Sequence, residues 1–229
     1  MLDVLAIGAH PDDVEIGMGG AIACFVAEGL KVGILDLTNG EPTPYGTPER
    51  RAAEAALAAQ RLGVAVRETL DIPNRYVEDS VENRIKVAEV LRRLRPRILF
   101  APYWEDAHPD HIAASRLVDA ARFYAKLTKT DMKGEPFYPQ KVFYYFCTHW
   151  RLHPKPSFIL DVTAGFERKM AALEAYESQF VQGRPDPAAI FGGVRARAEY
   201  WGQLIGARYG EPFTCREEIG LRSLRDVCL

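Results

Sequence analysis

The chain has 229 residues, a formal net charge of -2, 48% hydrophobic and 26% charged residues, a composition that suits a globular chain able to bury a substantial core. It lacks the basic excess that neutralises nucleic-acid phosphates. It has no apolar run near the roughly 20 residues that span a bilayer and no signal-peptide pattern at its N-terminus. Neither nucleic-acid nor membrane partners are expected, and a cytoplasmic location is. Cys24, Cys147, Cys215 and Cys228 lie far apart without a C-x-x-C pair, which predicts free thiols rather than a thiolate zinc site or a disulfide framework.

In chain order, Leu2 to Gly8 reads as a buried strand and Gly19 to Glu28 as a helix stopped by Gly29. Lys31 to Leu37 is a second strand. Thr47 and Pro48 supply a cap and first-turn proline for an alanine-rich helix to Leu62, before Gly63. Val66 to Ile72 is a weaker strand. Ser80 caps a helix with Ile85, Ala88, Val90, Leu91 and Leu94 at helical spacing, ending near Arg95. Arg97 to Tyr103 is a fourth strand and Ile112 to Leu127 another helix. Lys129 to Gln140 reads as a loop, a lid or an oligomer contact. Lys141 to Thr148 and Ser157 to Val162 look like strands, and Phe166 to Phe180 and Val194 to Tyr209 like helices, around a mobile Pro/Gly-rich stretch from Gly183 to Gly193.

Strands alternating with helices predict parallel βαβ units, and continuously apolar strands predict a sheet covered on both faces. The expected fold is one α/β domain over residues 1–229: a Rossmann-like three-layer arrangement with a mainly parallel sheet and helices on both faces. Such sheets bind ligands beyond the carboxyl ends of their strands.

Two segments in that position carry reactive side chains: Ala9-His10-Pro11-Asp12-Asp13 after the first strand, and His108-Pro109-Asp110-His111 after the fourth. Imidazoles and carboxylates converging there suit a divalent ion, since catalytic zinc takes three protein N/O ligands and keeps one position open. Alone, either histidine could be a turn or capping group, and the aspartates could cap a helix. Two adjacent carboxylates repel each other, however, and a cation removes that conflict. A dinucleotide site would need G-x-G-x-x-G in this first turn, where the chain reads Gly8-Ala9-His10-Pro11-Asp12-Asp13. Asp36, which resembles a ribose-binding acid, is expected to be an exposed strand-end residue.

These motifs resemble the LmbE-like, or PIG-L, family of zinc N-deacetylases, whose signatures are an A-H-P-D-D turn and a later H-P-D-H. The stretches GAHPDDVEIGMGG, FAPYWEDAHPDH and HPKPSF are similar, more narrowly, to the bacillithiol-pathway N-acetylglucosaminyl-malate deacetylases. The resemblance implies that His10, Asp13 and His111 hold one Zn2+ per chain, although such ligands also accept iron, cobalt or manganese. It implies Asp12 as general base and His108 as the group that stabilises the oxyanion or protonates the leaving nitrogen. Asp110 would then orient and charge-stabilise His108, and Arg51 would bind substrate through a carboxylate. Some mycothiol-pathway relatives carry a tyrosine two residues before the first histidine of H-P-D-H. Asp106 stands there in this chain, so that role does not transfer.

The expected activity is hydrolysis of an N-acetyl group from an amino-sugar conjugate. A thiol conjugate or chitooligosaccharide is the alternative substrate, and a noncatalytic metal or nucleotide-binding module the alternative class. Relatives imply a homo-oligomer, with a hexamer one of the states expected. His149 and His153 are expected to be hydrogen-bonding loop groups, and Tyr144, Tyr145 and Phe146 core or subunit contacts. Residues 39–46 follow the second strand and could border the crevice.

Overall fold

Alternate residues of the central strands face opposite helix layers, and both sets are apolar. In β1 (Val4–Gly8), Val4 and Ala6 join one buried cluster with Val14, Ile22, Ala58 and Phe166. Leu5 and Ile7 join a second cluster with Val87, Leu91, Leu117 and Ala121. This period of two, with both faces buried, makes a three-layer α/β structure. The structure, a computed structural model, describes residues 1–149 and 152–221. Cys228 lies outside them, and the other three cysteines are free thiols. Among the described residues no helix is long and apolar enough to cross a membrane.

The remaining strands are β2 (Val32–Asp36), β3 (Val66–Thr69), β4 (Ile98–Pro102), β5 (Lys141–Tyr145), β6 (Phe158–Asp161) and β7 (Gly210–Thr214). The helices are α1 (Asp13–Ala27), α2 (Pro48–Leu62), α3 (Val81–Leu94), α4 (Pro109–Ala125), α5 (Phe166–Leu173), α6 (Glu177–Phe180) and α7 (Pro187–Gln203). The sheet order is β3-β2-β1-β4-β5-β7-β6. All pairings from β3 to β5 are parallel, whereas β7 runs antiparallel to both β5 and β6. The chain moves outward from β1 to β3, then returns to place β4 on the other side of β1. The switch point, where ligand crevices open, is thus the gap between the ends of β1 and β4.

The elements differ from the sequence reading in several places. Strand β7 was not among the expected elements; it carries Pro212, which lies beyond the end of the β5 ladder and opposite Ile159 of β6. Helix α7 begins at Pro187, where a mobile stretch was expected. Asp186 accepts a hydrogen bond from the Ala189 amide at 3.0 Å, a cap that outweighs Gly192 and Gly193. The single helix expected from Phe166 to Phe180 breaks between α5 and α6, where fully buried Tyr176 turns inward to donate to Glu15 at 2.9 Å. Helix α1 starts six residues earlier than Gly19 and is bent at Met18 (φ -149°).

That bend has a specific support. Gly17 lies against the Tyr145 ring, where a Cβ would come within 2.1 Å of a ring carbon, so helix and sheet touch closely there. The interrupted ladder leaves amides and a carbonyl without helical partners. Glu211 on β7 accepts from the Gly20 and Ala21 amides at 3.0 and 2.7 Å. Lys169 on α5 donates to the Ile16 carbonyl at 2.8 Å and pairs with Glu211 at 2.6 Å. A buried ion pair thus caps the second half of α1.

Residues 129–140 are not a lid. They lead into the N-terminal end of parallel β5, opposite the crevice, and Arg92 on α3 ties them down through the Met132 and Gly134 carbonyls. Asp36 is not exposed either: it is fully buried, and Arg67 grips both of its oxygens at 2.7 and 2.9 Å.

Glu211→Ala would strand the Lys169 ammonium and two amides inside the protein. We expect a loss of about 3–5 kcal/mol, the usual cost of breaking a buried pair, or roughly 6–20 °C in Tm for a chain this size. A thermal melt unchanged within 2–3 °C would show that the bend does not need this cap.

Candidate active site

The first motif leaves β1 at Gly8 and enters α1 at Asp13. Asp12, the residue before the helix, adopts φ 115°, a left-handed conformation that a branched side chain rarely holds without a local reason. The second motif opens α4. His108 is its cap residue, with Nδ1 accepting from the Asp110 amide at 3.2 Å. The helix therefore begins on the motif itself rather than at Ile112, and Asp110 and His111 project from its first turn.

The switch point brings the two motifs together. The His10 ring lies 4.7 Å from that of His108 and 5.5 Å from that of His111. Nδ1 of His10 is 3.4 Å from Asp13 Oδ2; Nε2 of His111 is 3.1 Å from Asp13 Oδ1. Yet His111 Nε2 is buried and makes no hydrogen bond of acceptable geometry. A buried ring nitrogen aimed at a carboxylate without bonding it is what a cation between them would satisfy. His10, Asp13 and His111 have ligand atoms within 4.8 Å of one another, so the donor set fits a divalent ion.

Each imidazole is held from behind. His111 Nδ1 contacts Asp106 at 2.5 Å, and His10 Nε2 contacts Asp110 at 3.1 Å. Carboxylates in this position fix the ring and its tautomer and raise its basicity. Asp110 therefore orients His10 rather than His108, the residue expected from the resemblance. Asp106 was absent from the expected site, although its position at the end of a buried strand, just before H-P-D-H, was a usable signal. It is 1% exposed and also accepts from the His149 amide at 2.6 Å.

The titration behaviour follows from the packing. Burial lowers His10, but Asp13 and Asp110 overcome it and raise the group to about 9. Burial likewise opposes Asp13 and Asp106 at His111, which ends at about 10. Without a metal, protons take the positive role among these carboxylates. Asp12 is pushed up to about 7, first by burial and then by Asp13, against the opposing pull of Arg51. His108 falls to about 4 through burial and the positive His10 and His111 beside it. Without a metal, His108 is therefore biased toward the neutral form, burial and the two positive rings outweighing Asp110.

Arg51 is 3% exposed and packs in the cleft wall. It donates to the Pro11 carbonyl through Nε and Nη2, and to Asp12 through Nη2 at 2.8 Å. Its Nη1 is buried without a partner. The guanidinium expected to hold substrate is mostly engaged by the Pro11 carbonyl and the neighbouring carboxylate.

Over this cluster opens a cleft of ≈ 290 Å³, near the lower end of small-molecule sites. Gly40, Pro42 and Thr43 form part of its wall, so the 39–46 loop does border it. Asn74, Arg75, Cys147, His149, Gln179 and Arg184 line it as well; no local pattern had marked these. His149 is exposed at the mouth, whereas His153 pairs with the Tyr200 hydroxyl at 2.6 Å. Tyr144, Tyr145 and Phe146 are buried core.

A family model described as GlcNAc-PI de-N-acetylase (PIG-L) matches residues 5–122, a span that includes both motifs. The chain is 31% identical to a diacetylchitobiose deacetylase of Thermococcus kodakarensis, over 91% of this chain and 80% of that protein. A solved structure of the conserved protein TT1542 from Thermus thermophilus superposes with a TM-score of 0.89 at 43% identity, covering 96% of this chain and 97% of that one. A 4-oxalmesaconate hydratase of Pseudomonas putida is 27% identical over 76% of this chain and 73% of its own length. On the matched span and the long identity to a deacetylase, together with a cluster fit for a metal, this chain is an enzyme of the PIG-L, or LmbE-like, deacetylase family.

Proposed function

We propose that the chain is a zinc-dependent N-deacetylase of an amino-sugar conjugate, and that its substrate is N-acetylglucosaminyl-malate on the route to bacillithiol. The observation that carries the reaction class is an ion-ready His10–Asp13–His111 set beside a buried carboxylate, Asp12, at about 7. When bound, the metal would supply Lewis-acid polarisation of the acyl oxygen and an acidified water.

The chain's own groups do the rest. Asp12 sits where a base is best matched to neutral pH and accepts the proton of the attacking water. His108 accepts a hydrogen bond at Nδ1, so its neutral ring carries the proton on Nε2 and can donate it as a hydrogen bond to the developing oxyanion. Return of the proton to the leaving amine falls to Asp12, which took it from the water, or to His108. Arg51 is a positioning residue: it fixes the Asp12 carboxylate and offsets part of the burial penalty on its charge. The hydratase relative gives the second reading, water addition at the same metal, and release of acetate separates the two.

In the protein loaded with zinc, His111→Ala is expected to lose the metal, and Asp106→Asn to weaken its binding about 10–100-fold, as outer carboxylates usually do. Competition against a graded chelator measures both; unchanged affinity in Asp106→Asn would remove that carboxylate from the site. Asp12→Asn should keep the metal and lose about 10²–10⁴-fold in turnover, read as acetate released from N-acetylated sugars. Retention of activity within a few-fold would disqualify Asp12 as the base.

Arg51 gives a signed pH test. Because it lowers Asp12, Arg51→Ala should move the acid limb of kcat/KM to higher pH, with activity lost at pH 6 and partly regained at pH 8. A uniform loss at every pH would mean that Arg51 acts on substrate rather than on Asp12.

A further inference from the structure

Two arginines at the cleft have no acidic partner among the described residues. Arg75 and Arg184 both line it and both are exposed. Among the described residues, neither guanidinium lies within ion-pair distance of a carboxylate, unlike Arg50, Arg51, Arg67, Arg84 and Arg93. Each donates instead to a single backbone carbonyl. Arg75 Nη2 reaches the Pro42 oxygen at 2.9 Å, and Arg184 Nε reaches the Gln179 oxygen at 2.8 Å. Most of their fork of donors stays available.

An isolated surface arginine needs no explanation, but these two share one hydrogen-bonded arc. From Arg75 the arc passes to Pro42, then to Thr43, whose hydroxyl accepts from Gln179 Nε2 at 3.2 Å, and from Gln179 to Arg184. The arc bounds the cleft above the ion-ready cluster. One end is also tied to the reactive centre. The Arg75 amide donates to Asp110 at 2.8 Å, on the same oxygen that holds His10, and Arg75 adopts φ 72°. A left-handed arginine is strained and persists where surroundings impose it, a pattern concentrated at ligand sites. The carboxylates that line the cleft, Asp12 and Asp13, are both occupied at its floor.

We propose that Arg75 and Arg184 form a two-guanidinium clamp for the anionic aglycone of the substrate, one carboxylate to each fork. This rests on the proposed function and deepens it: the clamp selects a sugar joined to a dicarboxylate over a neutral disaccharide. It moves carboxylate recognition from Arg51, engaged below, to the rim. Guanidinium meets carboxylate in a planar bidentate pair, and two such cations at the mouth also draw an anion in.

The test uses the zinc-loaded enzyme with Arg75→Gln, Arg184→Gln and the double variant; melting temperatures and metal content confirm that each is folded and loaded. In Arg75→Gln the main-chain amide that holds Asp110 remains. Two readouts are compared with the parent: kcat/KM for N-acetylglucosaminyl-malate against N,N'-diacetylchitobiose, and inhibition of the diacetylchitobiose reaction by L-malate. Each single variant should lose about 10–150-fold on the malate conjugate, the usual worth of a hydrogen bond to a charged group, chiefly in KM. That loss should exceed the loss on diacetylchitobiose at least tenfold. The Ki of L-malate should rise in step, and added salt should weaken the parent's preference. Equal losses on both substrates, or an unchanged Ki in the double variant, would overturn the clamp while leaving the substrate assignment standing. A parent that prefers diacetylchitobiose, yet is inhibited by malate through Arg75 and Arg184, would overturn the malate conjugate as substrate and keep the clamp.

Discussion

The carboxylate of Asp110 joins what would otherwise be three separate segments. It contacts His10, one hundred positions earlier in the chain, at 3.1 Å. It also accepts from the Arg75 and Val77 amides at 2.8 and 3.3 Å. The loop after β1, the loop after β3 and the first turn of α4 are thereby fixed to one another through a single buried group. A carboxylate accepting several N–H donors is held low, and Asp110 is indeed held below the ordinary carboxylate range. Together with Asp13, it makes His10 a strong base. The geometry of the rim and the basicity of a candidate ligand thus share one anchor.

Electrostatics explains why the site must contain something positive. Asp12, Asp13, Asp106 and Asp110 crowd the ends of β1 and β4, and among the described residues Arg51 is the one permanently charged side chain paired with them. Repulsion and burial leave two ways to balance that charge. Protons can bind His10 and His111, which the raised values of both rings describe, or a divalent ion can displace them. Metal uptake is therefore linked to proton release. Asp12 is distinct because it carries no imidazole: burial lifts it, and the Arg51 guanidinium is the main group that holds it down.

Much of this was legible in the sequence because it is local. The two motifs follow strands, βαβ alternation places strand ends on one side, and β1, β2, α2 and α3 declare themselves through unbroken apolar runs and clear caps. The illegible parts are nonlocal. Strand β7 is stabilised by its neighbours in the sheet, not by its own composition, and it carries a proline. The early start of α1 needs Glu211 and Lys169, which lie far away in sequence, to satisfy the bend at Met18. The partnership of Asp110 with His10 rather than with adjacent His108 follows from the angle at which α4 arrives, which spacing does not encode. Arg51 could be placed near the crevice from its helix, but its turn toward Asp12 depends on where the left-handed Asp12 puts its carboxylate.

The same distinction separates what is fixed in this cleft from what can vary. The floor is built from strand ends and first helical turns, where a shift of one residue would unpair a buried carboxylate or ring nitrogen and cost several kcal/mol. The rim is built from the 39–46 loop, the residues around Arg75 and the segment after α6. These are joined mostly by hydrogen bonds to backbone carbonyls, which many side chains could replace. A floor under such constraint preserves the chemistry, while the rim can exchange one set of charges for another without disturbing it. The arginines at the rim are therefore where this chain's choice of substrate is to be sought, and the aspartates and histidines below them are where its reaction is.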